Sequence, residues 1–185
     1  MSDLKKAIQR EYLKSAQDPV HFMRKYCTIQ HPTKGKVKFD LYPFQEKCLT
    51  TFKENRYNII LKARQLGIST LSAGYALWMM LFHNDKNILV IATGKDTAKN
   101  LVTKVRVMYD GLPQWLKTNT EEINKLSLRF TNGSQIKAIA SNESAGRSEA
   151  LSLLIIDEAA FIDRIDTIWT AAQQTLSTGG GCIAL

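Results

Sequence analysis

Four short runs, residues 57–61, 88–92, 153–156 and 182–185, are almost wholly apolar instead of alternating. A strand that shows one face to water alternates, whereas a continuous apolar run calls for cover on both faces, as in the parallel strands of α/β proteins. Between the runs the period becomes helical. Residues 69–83 read as one helix, and residues 95–110 as another, with Ala98, Leu101, Val102, Val105 and Met108 on a single face. Strand and helix in alternation predict a mainly parallel central sheet flanked by helices, so the fold class is α/β.

The rest of the chain fits around that frame. Leu4, Ala7, Ile8 and Tyr12 recur at helical spacing up to Asp18-Pro19, where the proline disfavours continuation. Residues 20–41 read as irregular, and a further helix starts at Pro43 with Phe44, Cys48, Leu49 and Phe52. Residues 126–130 and 135–139 alternate around Thr131-Asn132-Gly133-Ser134, a separate hairpin inserted before the third core strand. Trp78, Met79 and Met80 read as core packing, and Trp115 as packing a short helix. The expected organisation is an N-terminal helical and irregular extension, residues 1–40, packed on a domain spanning residues 41–185.

No apolar stretch approaches the roughly 18 residues of a membrane span, and the start of the chain lacks an apolar signal region. A soluble protein of a reducing compartment is expected. Cys27, Cys48 and Cys182 are far apart and form no CxxC pair, which speaks against a disulfide framework or a zinc ribbon. His21, Cys27 and His31 have no recognised metal spacing. The net charge is +8, and residues 1–62 hold 13 basic against six acidic side chains. Such an excess suits nucleic acid or phosphate, but a solvated basic face gives the same count. Lys34, Lys36 and Lys38 beside Gly35 read as a loop or hairpin edge first and a phosphate contact second.

The first apolar run leads straight into Lys62-Ala63-Arg64-Gln65-Leu66-Gly67-Ile68-Ser69-Thr70 and a helix. A turn between a strand and a helix N-terminus aims backbone N–H groups at an anion, and a hydroxyl just inside the helix can ligate the anion's magnesium. In the Walker A frame G-x-x-x-x-G-K-[ST], Gly67 takes the second glycine and Ser69 the hydroxyl. Two positions depart. Lys62 replaces the first glycine, and Ile68 stands where a lysine normally reaches the β- and γ-phosphates. Taken alone the segment reads as a structural turn; as a phosphate loop it needs a cation, which Lys62 or Arg64 could supply.

The third run ends in Asp157-Glu158. Two carboxylates at the end of a buried parallel strand lie where α/β sheets bind ligands, and unpaired burial of such groups costs several kcal/mol. In the Walker B pattern the Asp orients magnesium, partly through water, and the Glu polarises an attacking water. The structural alternative is a helix start capped by Asp157 with Glu158 in its first turn.

On these residues the chain resembles the ATPase domain of the large terminase subunit of tailed bacteriophages, over about residues 36–185. The resemblance rests on Leu41-Tyr-Pro-Phe-Gln45, on residues 62–70, on Gly146-Arg147 and on Leu154-Ile-Ile-Asp-Glu-Ala-Ala-Phe-Ile162. It implies a P-loop NTPase of the RecA-like (ASCE) class that hydrolyses ATP with Mg2+ and packages double-stranded DNA into procapsids. Implied partners are the DNA, a portal protein, a small terminase subunit and further copies in a ring, in the host cytoplasm and without a membrane.

By the same resemblance, residues Lys62, Ala63, Arg64, Gln65, Leu66, Gly67, Ile68, Ser69 and Thr70 bind nucleotide. Gln45 offers its amide to adenine, with Tyr42 or Phe44 packing nearby. Arg64 is a cis-acting finger on the γ-phosphate, and Lys62 is a plausible replacement for the missing lysine. Ser69, ahead of Thr70, holds magnesium with Asp157; Glu158 is the catalytic base, and Arg147 senses nucleotide or DNA. The family's coupling motif and nuclease domain are not matched, so a chain cut short ahead of both is expected. Two rivals remain at this stage: a helicase-like translocase, and a nucleic-acid-binding or assembly module with a degenerate nucleotide site.

Overall fold

A computed structural model describes residues 3–141 and 149–185 of the chain. Two helices open it, α1 (Asp3–Gln17) and α2 (Pro19–Tyr26), broken where the sequence predicts. Asp18 accepts a hydrogen bond from the Val20 N–H, and Pro19 occupies the first turn, where its missing N–H costs nothing. The segment expected to be irregular is ordered: after α2 come β1 (Thr28–His31) and β2 (Gly35–Lys38), paired antiparallel, so the lysine cluster does lie on a hairpin. Phe22 and Met23 are fully buried and join the main core. His21 pairs with Glu11 at 2.5 Å, Cys27 is buried, and His31 Nδ1 accepts the turn N–H groups of Thr33 and Lys34.

The remaining elements are α3 (Pro43–Glu54), β3 (Tyr57–Ile59), α4 (Ile68–Phe82), β4 (Asn87–Ala92), α5 (Lys95–Asp110), β5 (Thr120–Ile123), β6 (Ser127–Phe130), β7 (Gln135–Ala140), β8 (Leu153–Asp157), α6 (Ile165–Thr175) and β9 (Gly181–Ala184). A short 3-10 turn, Gln114–Leu116, carries Trp115. Seven strands form one sheet in the order β3-β9-β8-β4-β7-β6-β5. Strands β3, β9, β8, β4 and β7 are parallel; β6 and β5 add antiparallel at the far edge.

Two expectations are corrected. The hairpin predicted as a separate insertion is part of the main sheet: β7 pairs with β4 along its whole length, from Asn87↔Gln135 to Ala92↔Ala140. Its alternation reflects the exposed Lys137 on one side, not independence from the core. The first apolar run is not covered on both faces either. It ends as a strand at Ile59 and lies at the sheet's edge, with only Asn58 buried while Ile59 and Leu61 are 89% and 102% exposed.

Alternation along the inner strands sorts their side chains to two cores. Ile88, Val90, Ala92, Leu153, Ile155 and Ile183 face the larger cluster with α2 to α5, while Leu89, Ile91, Leu154, Ile156 and Cys182 face a smaller one built on α6. On the face of α4, Leu153 and Ile155 are followed two residues on by Asp157. Among the described residues no helix is long and apolar enough to cross a membrane.

Candidate nucleotide site

The carboxyl end of the parallel strands gathers the site. Gln65 (φ 64°) and Gly67 (φ 72°) both take left-handed backbone, and α4 begins at Ile68. Ala63, Arg64, Gln65 and Leu66 are exposed, while Lys62, Gly67, Ser69 and Thr70 are half-buried. Ile68 turns away from the loop and is buried in the main core. The loop is therefore open, and the position that usually bears the lysine faces the interior.

The strand alternation that directs Asp157 toward α4 brings it to that helix's first turn. Ser69 Oγ donates to Asp157 Oδ1 at 2.9 Å across 88 positions of sequence, and the Glu158 N–H donates to the same oxygen at 3.1 Å. Asp157 is 5% exposed, and these donors compensate its burial. The alternative of a helix capped by Asp157 is not what forms: Glu158 has φ 57° and precedes a 3-10 turn, Ala159–Phe161. Thr93, next after β4, donates to Glu158 Oε2 at 3.1 Å. The register Ala92↔Asp157 puts these two strand ends side by side. A cleft of about 450 Å³ runs between Lys62, Ala63 and Arg64 on one side and Glu158, Ala159 and Phe161 on the other.

Two hard oxygen donors in contact, a hydroxyl and a carboxylate, suit Mg2+, which takes few protein ligands and completes its shell with water and phosphate oxygens. The 15-residue α4 directs its N-terminus at the same place.

Both ends of the Gln45 amide meet backbone. It is 2% exposed; its Oε1 accepts from the Tyr42 N–H at 3.0 Å and its Nε2 donates to the Leu66 carbonyl at 2.9 Å. The amide ties the start of α3 to the loop before α4, its burial turning it to backbone groups that need partners. Tyr42 and Phe44 are exposed and stack nearly parallel, with centroids 5.7 Å apart. Arg147 and Gly146 lie outside the described residues.

Sequence reading missed two residues. Thr93 carries a weak signal, a hydroxyl directly after an apolar core strand. Lys104 carries another, because its spacing from Leu101 and Met108 places a lysine on the inward flank of α5. Burial pulls the Lys104 ammonium below its usual range, Asp157's carboxylate pulls it back up, and the charge of Lys62 pushes it down again.

Residues 59–181, well over half of the chain, match the family described as terminase large subunit, T4likevirus-type, N-terminal. The chain belongs to this family. Solved terminase structures share its fold. The large terminase of bacteriophage HK97 superposes with a TM-score of 0.71 at 19% identity, over 91% of this chain and 36% of that one. A point variant of the Thermus phage P74-26 large terminase ATPase domain gives 0.59 at 22% identity, and the unsubstituted domain 0.58 at 21%; each comparison covers 79% of this chain and 64% of the other. The chain thus spans about a third of the HK97 terminase and under two-thirds of the Thermus phage domain.

Proposed function

We propose that this chain is the ATP-hydrolysing motor domain of a viral terminase large subunit, which couples hydrolysis to the packaging of double-stranded DNA into procapsids. The observation that carries the reading is the contact between Ser69 and Asp157, which joins the phosphate loop to the acidic strand end. Family membership supports the motor role, and with it a portal protein, a small subunit and a ring of copies as partners.

Ser69 and Asp157 are the residues that would hold Mg2+. Bound there, the ion would neutralise charge on the β- and γ-phosphates. The N–H groups of the loop and of the first turn of α4 bind phosphate oxygens. Glu158 orients the attacking water and takes its proton; Thr93 holds Oε2, so the other carboxylate oxygen is assigned that proton. Arg64, exposed on the loop, is free to swing onto the γ-phosphate and stabilise charge developing there. Tyr42 and Phe44 offer a face for the base.

Calorimetric titration with Mg-ATP and phosphate-release assays on the chain test this. Ser69→Ala should weaken binding in magnesium more than in its absence. Glu158→Gln should bind ATP yet turn over about 10²–10⁴-fold more slowly; an unchanged rate removes the hydrolytic assignment.

A further inference from the structure

Phosphate loops of this frame place a lysine at the position Ile68 holds, and here that side chain is buried in the main core. The polyphosphate therefore needs its positive charge from elsewhere. On the loop, Arg64 is exposed and Lys62 half-buried. A third cation approaches from a different element. α5 begins at Lys95, three residues past Ala92, whose register partner is Asp157, and it packs beside α4 and on β4 and β7. Side chains on a helix lean toward its N-terminus, so Lys104 leans toward the end of the sheet where Ser69 meets Asp157.

Lys104 is half-buried among Leu101, Val105 and Met108, all buried. Among the described residues neither Lys104 nor Lys62 makes a hydrogen bond or an ion pair. The Asp157 carboxylate and the Lys62 ammonium nonetheless both act on the Lys104 charge. On the packing above, Lys104 adds an unpaired positive charge on the flank of α5, leaning to the end of the sheet that bears Asp157 and the loop with Lys62. A half-buried ammonium without a partner is costly, and an anion bound there would offset the cost. A solvated surface lysine would not show this burial.

We propose that Lys104 is a polyphosphate-binding residue of this site, reaching the nucleotide's phosphates from α5 and sharing with Lys62 the part of the lysine that position 68 lacks. The inference rests on the nucleotide-site reading above and deepens it. Lys104 contributes where charge is greatest, so it discriminates ATP from ADP, and ADP from AMP.

Two measurements test it. In the first, the unsubstituted chain is treated with an amine-acetylating reagent with and without Mg-ATP, and each lysine is followed by mass spectrometry. Mg-ATP should protect Lys62 and Lys104 and leave the exposed Lys125 unchanged; Lys104 acetylated equally in both states overturns the proposal. In the second, fluorescent ATP, ADP and AMP analogues are titrated into Lys104→Met, Lys104→Gln and Lys104→Arg. Removing the charge should weaken ATP about tenfold or more, ADP less and AMP least, with Lys104→Arg retaining most of the affinity. A packing role would instead lower the melting temperature of the nucleotide-free protein and weaken all three nucleotides alike, which overturns the proposal. Ser69→Ala separates the two levels. If the parent binds Mg-ATP and Ser69→Ala weakens it while Lys104→Met does not, only the Lys104 assignment falls. If the parent binds no Mg-ATP, the nucleotide-site reading falls and takes Lys104 with it.

Discussion

The acidic end of β8 and the loop beyond β3 face one another, but the sheet holds them differently. All five residues of β8 are buried, and the strand pairs in parallel with β4 on one side and β9 on the other. Strand β3 has three residues and a single neighbour, and the loop that follows it is exposed from Ala63 to Leu66. One half of the site is built into the centre of the fold, and the other hangs from its edge. Charge follows the same division: Asp157 is held by two donors, whereas Lys62 makes no hydrogen bond or ion pair among the described residues. In the proposed motor, a buried wall and an exposed one would share the grip on the triphosphate. On the function proposed above, the buried wall is the one assigned to metal and water.

The largest expected contrast is in stability. Ile156, 2% exposed in the smaller core, directly precedes the acids. Ile156→Ala should cost about 2–5 kcal/mol by removing packed methyl groups and leaving a cavity. The same truncation at the exposed Ile59 should stay within about 0.5 kcal/mol. Urea unfolding of both variants checks this; equal losses would mean that β3 is held as firmly as β8.

That contrast also explains what the sequence could tell. The central strands were legible because a strand with two neighbours and two covered faces must be apolar throughout, as β4 and β8 are. Their acids were legible because carboxylates at such a strand end need a reason. Strand β3 carries the same apolar signature and yet is an edge, since composition records what a strand can bury and not which neighbours it finds. β7 erred the other way, its exposed lysine making a central strand look like part of a peripheral hairpin. The meeting of Ser69 with the Asp157-Glu158 strand end is readable from their spacing to fixed neighbours. The partners of Gln45 and Thr93 were not, because they depend on long-range packing: Gln45 meets a carbonyl 21 positions away, and Thr93 a carboxylate 65 positions away.

A smaller effect is expected at the loop itself. Gly67 combines φ +72° with a close neighbour, for a Cβ there would lie 2.8 Å from Gln45 Nε2. Gly67→Ala should cost about 1 kcal/mol or somewhat more through the left-handed backbone, and it should displace Gln45 from the Leu66 carbonyl. Because α3 is tied to the loop through that amide, nucleotide affinity should fall more than stability does. Gln45→Ala, which removes the obstructing group, should recover part of the Gly67→Ala loss only if the contact matters. A double-mutant cycle with no coupling between the two positions would show that the loop adjusts without regard to α3.

The smallest effect is local and reads how tightly the edge is attached. Cys182 lies on β9 between the two regions, opposite Tyr57 of β3 on one side and Leu154 of β8 on the other. Burial pushes its thiol up to about 12, from an ordinary value of 9.0. Since the thiolate is the reactive form, the folded chain should be nearly inert at Cys182 near pH 8, with alkylation passing through transient openings. The half-buried Cys48, raised by burial but offset by Lys47, should react first. The same shift fixes a sign for stability: a thiol held neutral in the fold contributes in full below its unfolded value, and that contribution is lost as pH rises from about 9 toward 12. If Cys182 is alkylated as fast as Cys48 in native buffer, β3 and β9 part readily, and the looser side of the site reaches inward to the neighbour of β8. If it is protected, β9 is held with β8, and the looser side of the site is confined to β3 and the exposed loop after it.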